Sequence, residues 1–195
     1  MKKAVFLDRD GTINVEKEYV YRIEDFEYTE GAIEALLLLR SFDYQLVIIT
    51  NQSGIARGYY TEEDFRILNN WMLSDLKKRG IEISGVYYCP HHPEGKIRDY
   101  AVRCACRKPE TELFKQAQEE LQIEMKDSYA IGDKIRDLSI CKESDVKGIL
   151  LDEAMYGISH IKLDDSDRMI WKCHSLLEAA RLIAKEDHEL NVKGS

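Results

Sequence analysis

The chain has 195 residues, with 36 acidic against 28 basic side chains, a formal net charge of -8 and 44% hydrophobic residues. That is the length of one domain, with enough apolar content for a core that needs no staples, and the acidic balance excludes a general affinity for nucleic acid or anionic membranes. No apolar run reaches membrane-spanning length and no leader precedes the first one, so the expectation is a cytoplasmic monomer built as a single domain over residues 1–195.

An apolar run at residues 5–7 predicts a buried strand. It leads into Asp8-Arg9-Asp10-Gly11-Thr12, where two aspartates two positions apart on an extended backbone project to the same side. Open α/β sheets bind ligands at the carboxyl ends of their strands. Two carboxylates about 4 Å apart repel by roughly 4 kcal/mol at an effective dielectric near 20, so the pair calls for a cation or a shared proton. A lone Asp-x-Asp is most often a solvated turn; the residues downstream reverse that weighting.

Residues 13–28 lack helical periodicity and form a loop long enough to lean over a site. A crossover helix follows at 32–41, with Thr29 offered as a cap near its start. The apolar run 45–50 predicts a strand covered on both faces, as in a parallel sheet. At its end Thr50-Asn51-Gln52-Ser53-Gly54 supplies hydroxyls, amides and free backbone N–H groups suited to a phosphate cradle, although such a stretch alone reads as a turn. Thr61 and Asp64 have capping-box spacing, and Phe65, Leu68, Met72 and Leu76 give the next helix its core stripe up to a stop at Gly80.

A third strand at 83–88 runs into Cys89-Pro90-His91-His92-Pro93, and Cys104-Ala105-Cys106 returns just before Arg107 and Lys108. Three sulfurs and an imidazole suit a closed, structural zinc site. His92 remains an alternative to His91 as ligand, or a residue facing the substrate. Closing the loop 89–106 on a metal would orient Arg107 and Lys108 towards a phosphate. A helix at 112–123 and a strand at 128–131 then deliver Asp133, which joins Asp8 and Asp10 as candidate anchors of one hard cation, with Mg2+ fitting an oxygen-rich site. Asp137 reads either as a partner of that group or as an ordinary helix-start carboxylate. Beyond a strand at 147–152 the chain reads as a variable segment: irregular and acidic over 153–167, an edge strand at 169–172, a closing helix at 176–183 and a frayed polar tail from 185.

In this order the four elements Asp8-x-Asp10-Gly-Thr, Thr50-Asn51, Lys108 and Gly132-Asp133 resemble the haloacid dehalogenase superfamily of phosphotransferases. FLDRDGTIN, TNQSGIARG, YYCPHHP, the CxCRKP segment and GDK are together similar to the heptose-1,7-bisphosphate 7-phosphatase and histidinol-phosphatase family, over about residues 4–148. The resemblance implies a Rossmann-like three-layer α/β sandwich with a central parallel sheet, a zinc-binding loop and no large cap domain. It implies Asp8 as nucleophile and Asp10 as acid and base. Thr50 and Lys108 would stabilise the phosphoryl group, while Glu16, Lys17, Glu18, Tyr19, Asn51, Gln52, Ser53, Arg107 and Lys134 would line the substrate site. Mg2+ would be held by Asp8, the main-chain carbonyl of Asp10 and Asp133, and zinc by Cys89, His91, Cys104 and Cys106. The implied substrate is a small sugar phosphate, the 7-phosphate of D-glycero-D-manno-heptose 1,7-bisphosphate, with histidinol phosphate as the alternative. A non-catalytic phosphate-binding module is the reading from another class, and the complete set of Asp8, Asp10, Lys108 and Asp133 argues against it. After the fifth strand the family carries a Thr-Gly-x-Gly-like turn, where this chain has Leu151-Asp152-Glu153-Ala154-Met155-Tyr156-Gly157.

Overall fold

The computed structural model describes residues 2–154, 157–163 and 168–193, the last four through their backbone. Its core is a seven-stranded sheet assembled from β1 (Ala4–Leu7), β2 (Gln45–Asn51), β3 (Ile83–Cys89), β4 (Tyr129–Gly132), β5 (Lys147–Leu151), β6 (Ser159–Lys162) and β7 (Met169–Cys173). The spatial order is β3-β2-β1-β4-β5-β7-β6, parallel throughout except for the antiparallel β6–β7 pair. Strand alternation divides β1 between two cores. Val5 and Leu7 face α1 (Ala32–Ser41), α3 (Glu62–Lys78) and α5 (Leu176–Lys193), whereas Ala4 and Phe6 face α4 (Glu112–Leu121) and the 3-10 turns at Ile135–Lys142. A sheet buried on both faces needs near-continuous apolar strands, which is why β1 and β2 could be read directly.

The expected helix and strand positions over residues 4–151 hold to within a few residues. Among the described residues no cap-sized unit interrupts the connections after β1 or between β2 and β3. Thr61 and Asp64 do form a reciprocal capping box, and Phe65, Leu68, Met72 and Leu76 are all buried. Thr29, by contrast, does not cap α1: Gly31 occupies that position with φ 73°, and the Thr29 hydroxyl donates to the Thr12 carbonyl at 2.7 Å, tying the loop base to the first motif. The cradle continues into α2 (Ser53–Arg57), a helix of one turn where no helix was expected from the sequence, because it is too short to show a period.

The end of the chain departs most. β7 was expected at the edge, but it pairs with β5 on one side and β6 on the other. The true edge strand, β6, lies inside the stretch expected to be irregular. It has four residues with half-buried and exposed positions alternating, so it lacks the apolar run that marks an interior strand. Parts of the 151–157 and 153–167 segments, namely 155–156 and 164–167, lie outside the described residues. The tail expected to fray from residue 185 is instead the second half of α5. Asp187 is 6% exposed, accepts from Tyr44 Oη at 3.2 Å and pairs with Lys3, which pins a polar stretch to the bottom of the sheet.

Candidate active site

β1 and β4 run side by side, and the Asp8 N–H donates to the Ile131 carbonyl at 3.0 Å just past the end of β1. Asp8 and Asp133 are thereby delivered at neighbouring carboxyl ends of strands. Gly11 makes their approach possible. With φ +79° it turns the chain away from the sheet, and a Cβ there would sit 2.6 Å from Asp133 Oδ2. Side-chain oxygens of Asp8, Asp133 and Asp137 lie within 4.8 Å of one another, a group able to hold a metal ion. The Asp10 carboxylate is not in this group, and the metal role expected of Asp10 is that of its main-chain carbonyl.

Lys108, two residues beyond the Cys/His loop 89–106, reaches Asp8. It is 2% exposed, and its Nζ lies 2.7 Å from Asp8 Oδ1, 2.8 Å from Asp137 Oδ1 and 2.6 Å from the Ile49 carbonyl. Two hydrogen bonds hold its backbone: Asn51 Nδ2 donates to the Lys108 carbonyl and the Lys108 N–H donates to Asn51 Oδ1, each at 3.0 Å. Burial pushes the Asp8 carboxyl up to about 7, Lys108 opposes that rise, and Asp137 and Asp10 add to it. Two ammoniums, Lys108 and Lys134, face the three carboxylates of Asp8, Asp133 and Asp137, and this oxygen-only donor set fits a divalent cation such as Mg2+, which takes oxygen ligands. Asp137 combines both roles expected for it, accepting from the Lys134 N–H at 2.9 Å at the start of its helical turn while pairing with Lys108.

Asp10 is enclosed by donors. Arg9 Nη2 reaches its two oxygens at 2.8 and 2.9 Å, Asn14 Nδ2 reaches Oδ1 at 3.0 Å, and Gln52 Nε2 reaches Oδ2 at 2.9 Å. Arg9 is 1% exposed, its guanidinium lying 5.6 Å from the centre of the Phe65 ring.

A cavity of about 500 Å³ opens over these groups, within the range of small-molecule sites. Asp8, Asp10, Glu16, Glu18, Tyr19, Asn51, Gln52, Ser53, Asp133 and Lys134 line it, together with Tyr60, Arg136 and Asp137. Glu16 has its carboxyl pushed up by burial and by Asp10 and Asp133. Lys134 is paired with Asp133 at 2.6 Å. Four residues expected at the substrate site do not reach the cavity wall: Lys17, Thr50, Arg107 and Lys108, the last buried against Asp8. Lys17 points outward to Glu27 at 2.8 Å, because its neighbours Glu16 and Glu18 take the inward positions. Thr50 is buried beneath Gln52, and Arg107 is half-buried, donating to the His91 carbonyl at 3.2 Å. Tyr60 and Arg136 were not anticipated. Neither belongs to a recognisable motif, and Tyr60 enters only because Gly54 leaves room for its ring.

The second donor cluster lies on the loop 89–106. Sulfur–sulfur separations among Cys89, Cys104 and Cys106 are 3.0, 3.2 and 3.5 Å, and His91 Nδ1 lies 3.3 Å from Cys106 Sγ and 3.7 Å from Cys89 Sγ. These distances are far longer than a disulfide and close to the spacing of ligands around one tetrahedral zinc, whose Zn–S bonds are about 2.3 Å. The choice between the two histidines follows from the same contacts. His91 faces the thiols, whereas His92 lies 3.1 Å from Arg57 Nη2 and accepts from the Glu94 N–H.

A HAD-hydrolase-like family model matches residues 105–177. A D-glycero-beta-D-manno-heptose-1,7-bisphosphate 7-phosphatase from Pasteurella multocida is 48% identical over 151 residues, covering 77% of this chain and 82% of that protein. The chain belongs to this phosphatase family. A relative of the same name from Escherichia coli O6:H1 is 40% identical over 183 residues, covering 94% of this chain and 95% of its own. In three dimensions the chain superposes with a TM-score of 0.76 and 26% identity on a D,D-heptose 1,7-bisphosphate phosphatase from B. bronchiseptica complexed with magnesium and phosphate, covering 94% of this chain and 99% of that one. A HAD-like phosphatase from Mesorhizobium loti gives a TM-score of 0.81 at 26% identity, covering 95% and 87%. The family's likeness therefore extends past the motifs into the C-terminal strands. No helix among the described residues is long and apolar enough to cross a membrane.

Proposed function

We propose that the chain hydrolyses the 7-phosphate of D-glycero-β-D-manno-heptose 1,7-bisphosphate through a phosphoryl group carried on Asp8. The contact of Asp8 with the buried Lys108 at 2.7 Å, beside Asp133 and Asp137 and open to the cavity, carries this reading. Asp8 attacks phosphorus while Asp10 protonates the departing sugar oxygen; Asp10 then takes a proton from the water that cleaves the aspartyl-phosphate. Lys108 and the Thr50 hydroxyl stabilise charge on the transferring oxygens. Asp8, Asp133 and the Asp10 carbonyl, with Asp137 adjacent, are the residues that would hold Mg2+. When bound, the ion supplies charge neutralisation at the phosphoryl oxygens. Glu16, Glu18 and Tyr19 border the sugar, and Tyr19 is braced edge-on against Tyr59 at 4.7 Å.

Cys89, His91, Cys104 and Cys106 are the residues that would hold a structural zinc; the His91 carbonyl that Arg107 grips would then be fixed, and with it the turn that presents Lys108. Replacing Cys104 or His91 releases zinc and lowers kcat/KM, whereas His92→Ala retains the metal. Zinc analysis of the three variants checks this, and metal loss without kinetic change would refute the positioning role. The substrate is tested by comparing kcat/KM on the β and α heptose bisphosphates and on histidinol phosphate. The β-heptose bisphosphate should be turned over with the highest kcat/KM, and a higher value for histidinol phosphate would overturn the assignment.

A further inference from the structure

We propose that Gln52 is a positioning residue that sets two reacting-site groups at once, the Asp10 carboxylate and the Thr50 hydroxyl, and that Tyr60 holds it in that setting. The inference rests on the phosphatase reading, in which Asp10 moves the proton and Thr50 stabilises the phosphoryl group.

Gln52 is 2% exposed, and its amide offers two N–H donors and a carbonyl oxygen with two lone pairs. Both donors and one lone pair are taken. Nε2 lies 2.9 Å from Asp10 Oδ2 and 2.9 Å from Thr50 Oγ1, and Oε1 accepts from Tyr60 Oη at 2.6 Å. Turning the amide over would set Oε1 against the Asp10 carboxylate, acceptor facing acceptor, so the charge of Asp10 and the hydroxyl proton of Tyr60 select the same orientation. The backbone is held as well, with the Gln52 N–H donating to the Cys89 carbonyl at 2.8 Å.

Thr50 receives the consequence. A hydroxyl that accepts from Gln52 keeps its own proton for another partner, and among the described residues no hydrogen bond is donated by Thr50 Oγ1. In the phosphatase reading that proton is available to a phosphoryl oxygen seated against Asp8, with Thr50 itself lying just below the cavity wall. The same amide holds Oδ2 of the acid and base, so a single side chain fixes the relative placement of the proton carrier and the phosphoryl donor.

Tyr60 reaches Gln52 through a tight fit. A Cβ at Gly54 would fall 2.1 Å from Tyr60 Cε1, and the ring stacks on Tyr21 at 5.1 Å with an interplanar angle of 11°. The Tyr59 N–H donates to the Gly54 carbonyl at 2.9 Å, which closes the turn that carries both residues.

The test measures kcat, KM and Tm for Gln52→Leu, Gln52→Glu, Tyr60→Phe and Gln52→Leu/Tyr60→Phe, with Asp8→Asn in parallel. Removing the paired donors lowers kcat by about 10²-fold in Gln52→Leu, the order expected for one preorganised donor, with KM changed by less than about threefold. Gln52→Glu, which puts an acceptor where both donors were, is at least as slow. Tyr60→Phe lowers kcat by about five- to tenfold and adds nothing in the Gln52→Leu background, because both act through one amide. A raised KM at unchanged kcat would make Gln52 a substrate contact and overturn the inference, as would additive effects of Tyr60→Phe and Gln52→Leu. Wild-type kcat in Gln52→Leu with Asp8→Asn inactive overturns the inference alone. Retained turnover in Asp8→Asn contradicts the phosphatase mechanism and the inference with it.

Discussion

Replacing Asp8 with asparagine lowers turnover by at least about 10⁴-fold while leaving the fold intact, the order expected when a nucleophile is removed. The side chain keeps its shape, and Lys108 keeps Asp137 and the Ile49 carbonyl as partners, so no buried cation is stranded. The metal-free variant should also be the more stable protein at high pH. Burial, opposed by Lys108, raises the Asp8 carboxyl from 3.8 to about 7, so over that interval the native state binds more protons than the unfolded chain and stability falls as pH rises. Asparagine removes the penalty. Denaturant titrations of metal-free wild type and Asp8→Asn should therefore converge as pH falls towards 3.8, separate as pH rises from there to about 7 and stay apart above it, with the variant higher. A wild type that gains on the variant as pH rises would contradict this account of the site's electrostatics.

Lys108→Met is expected to cost at least about 10³-fold in kcat, because one buried ammonium stabilises both the transferring oxygens and the carboxylates around them. It also destabilises the protein, since breaking a buried pair from one side costs about 3–5 kcal/mol. Folding and catalysis can be separated with Asp137→Asn. Lys108 Nζ is shared between Asp8 and Asp137, so Lys108→Met/Asp137→Asn leaves one fewer uncompensated carboxylate than Lys108→Met alone. The double variant should recover much of the lost stability and none of the kcat. Recovery of kcat together with stability would mean that Lys108 acts through the fold and not on the phosphoryl group.

How much of the molecule could be read from the chain depends on how each feature is encoded. β1, β2 and β4 are apolar runs that end in polar groups, so both the strands and the residues at their ends were legible, and Asp8, Asp133 and Thr50 were placed by that rule. The cysteines were legible as a set, but the choice of His91 over His92 needed the direction of two adjacent rings. Lys17 was misplaced because a run of charged residues does not reveal which of them face inward. Gln52 was visible only as part of a cradle, since its three bonds depend on Asp10, Thr50 and Tyr60 meeting from separate positions along the chain. β6 and the second half of α5 were missed for a related reason. Their residues are polar and are held by tertiary partners, as Asp187 is by Lys3 and Tyr44, and not by a local apolar period.

The most direct test of the mechanism is to trap the phosphoryl group in transit. Enzyme mixed with heptose bisphosphate labelled in its 7-phosphate is quenched in acid within the first turnover and digested, and the labelled peptide is sequenced. The account predicts an acid-stable, hydroxylamine-sensitive acyl-phosphate on Asp8 in the wild type and none in Asp8→Asn. Label on another residue, or labelling and turnover that survive in Asp8→Asn, would contradict it.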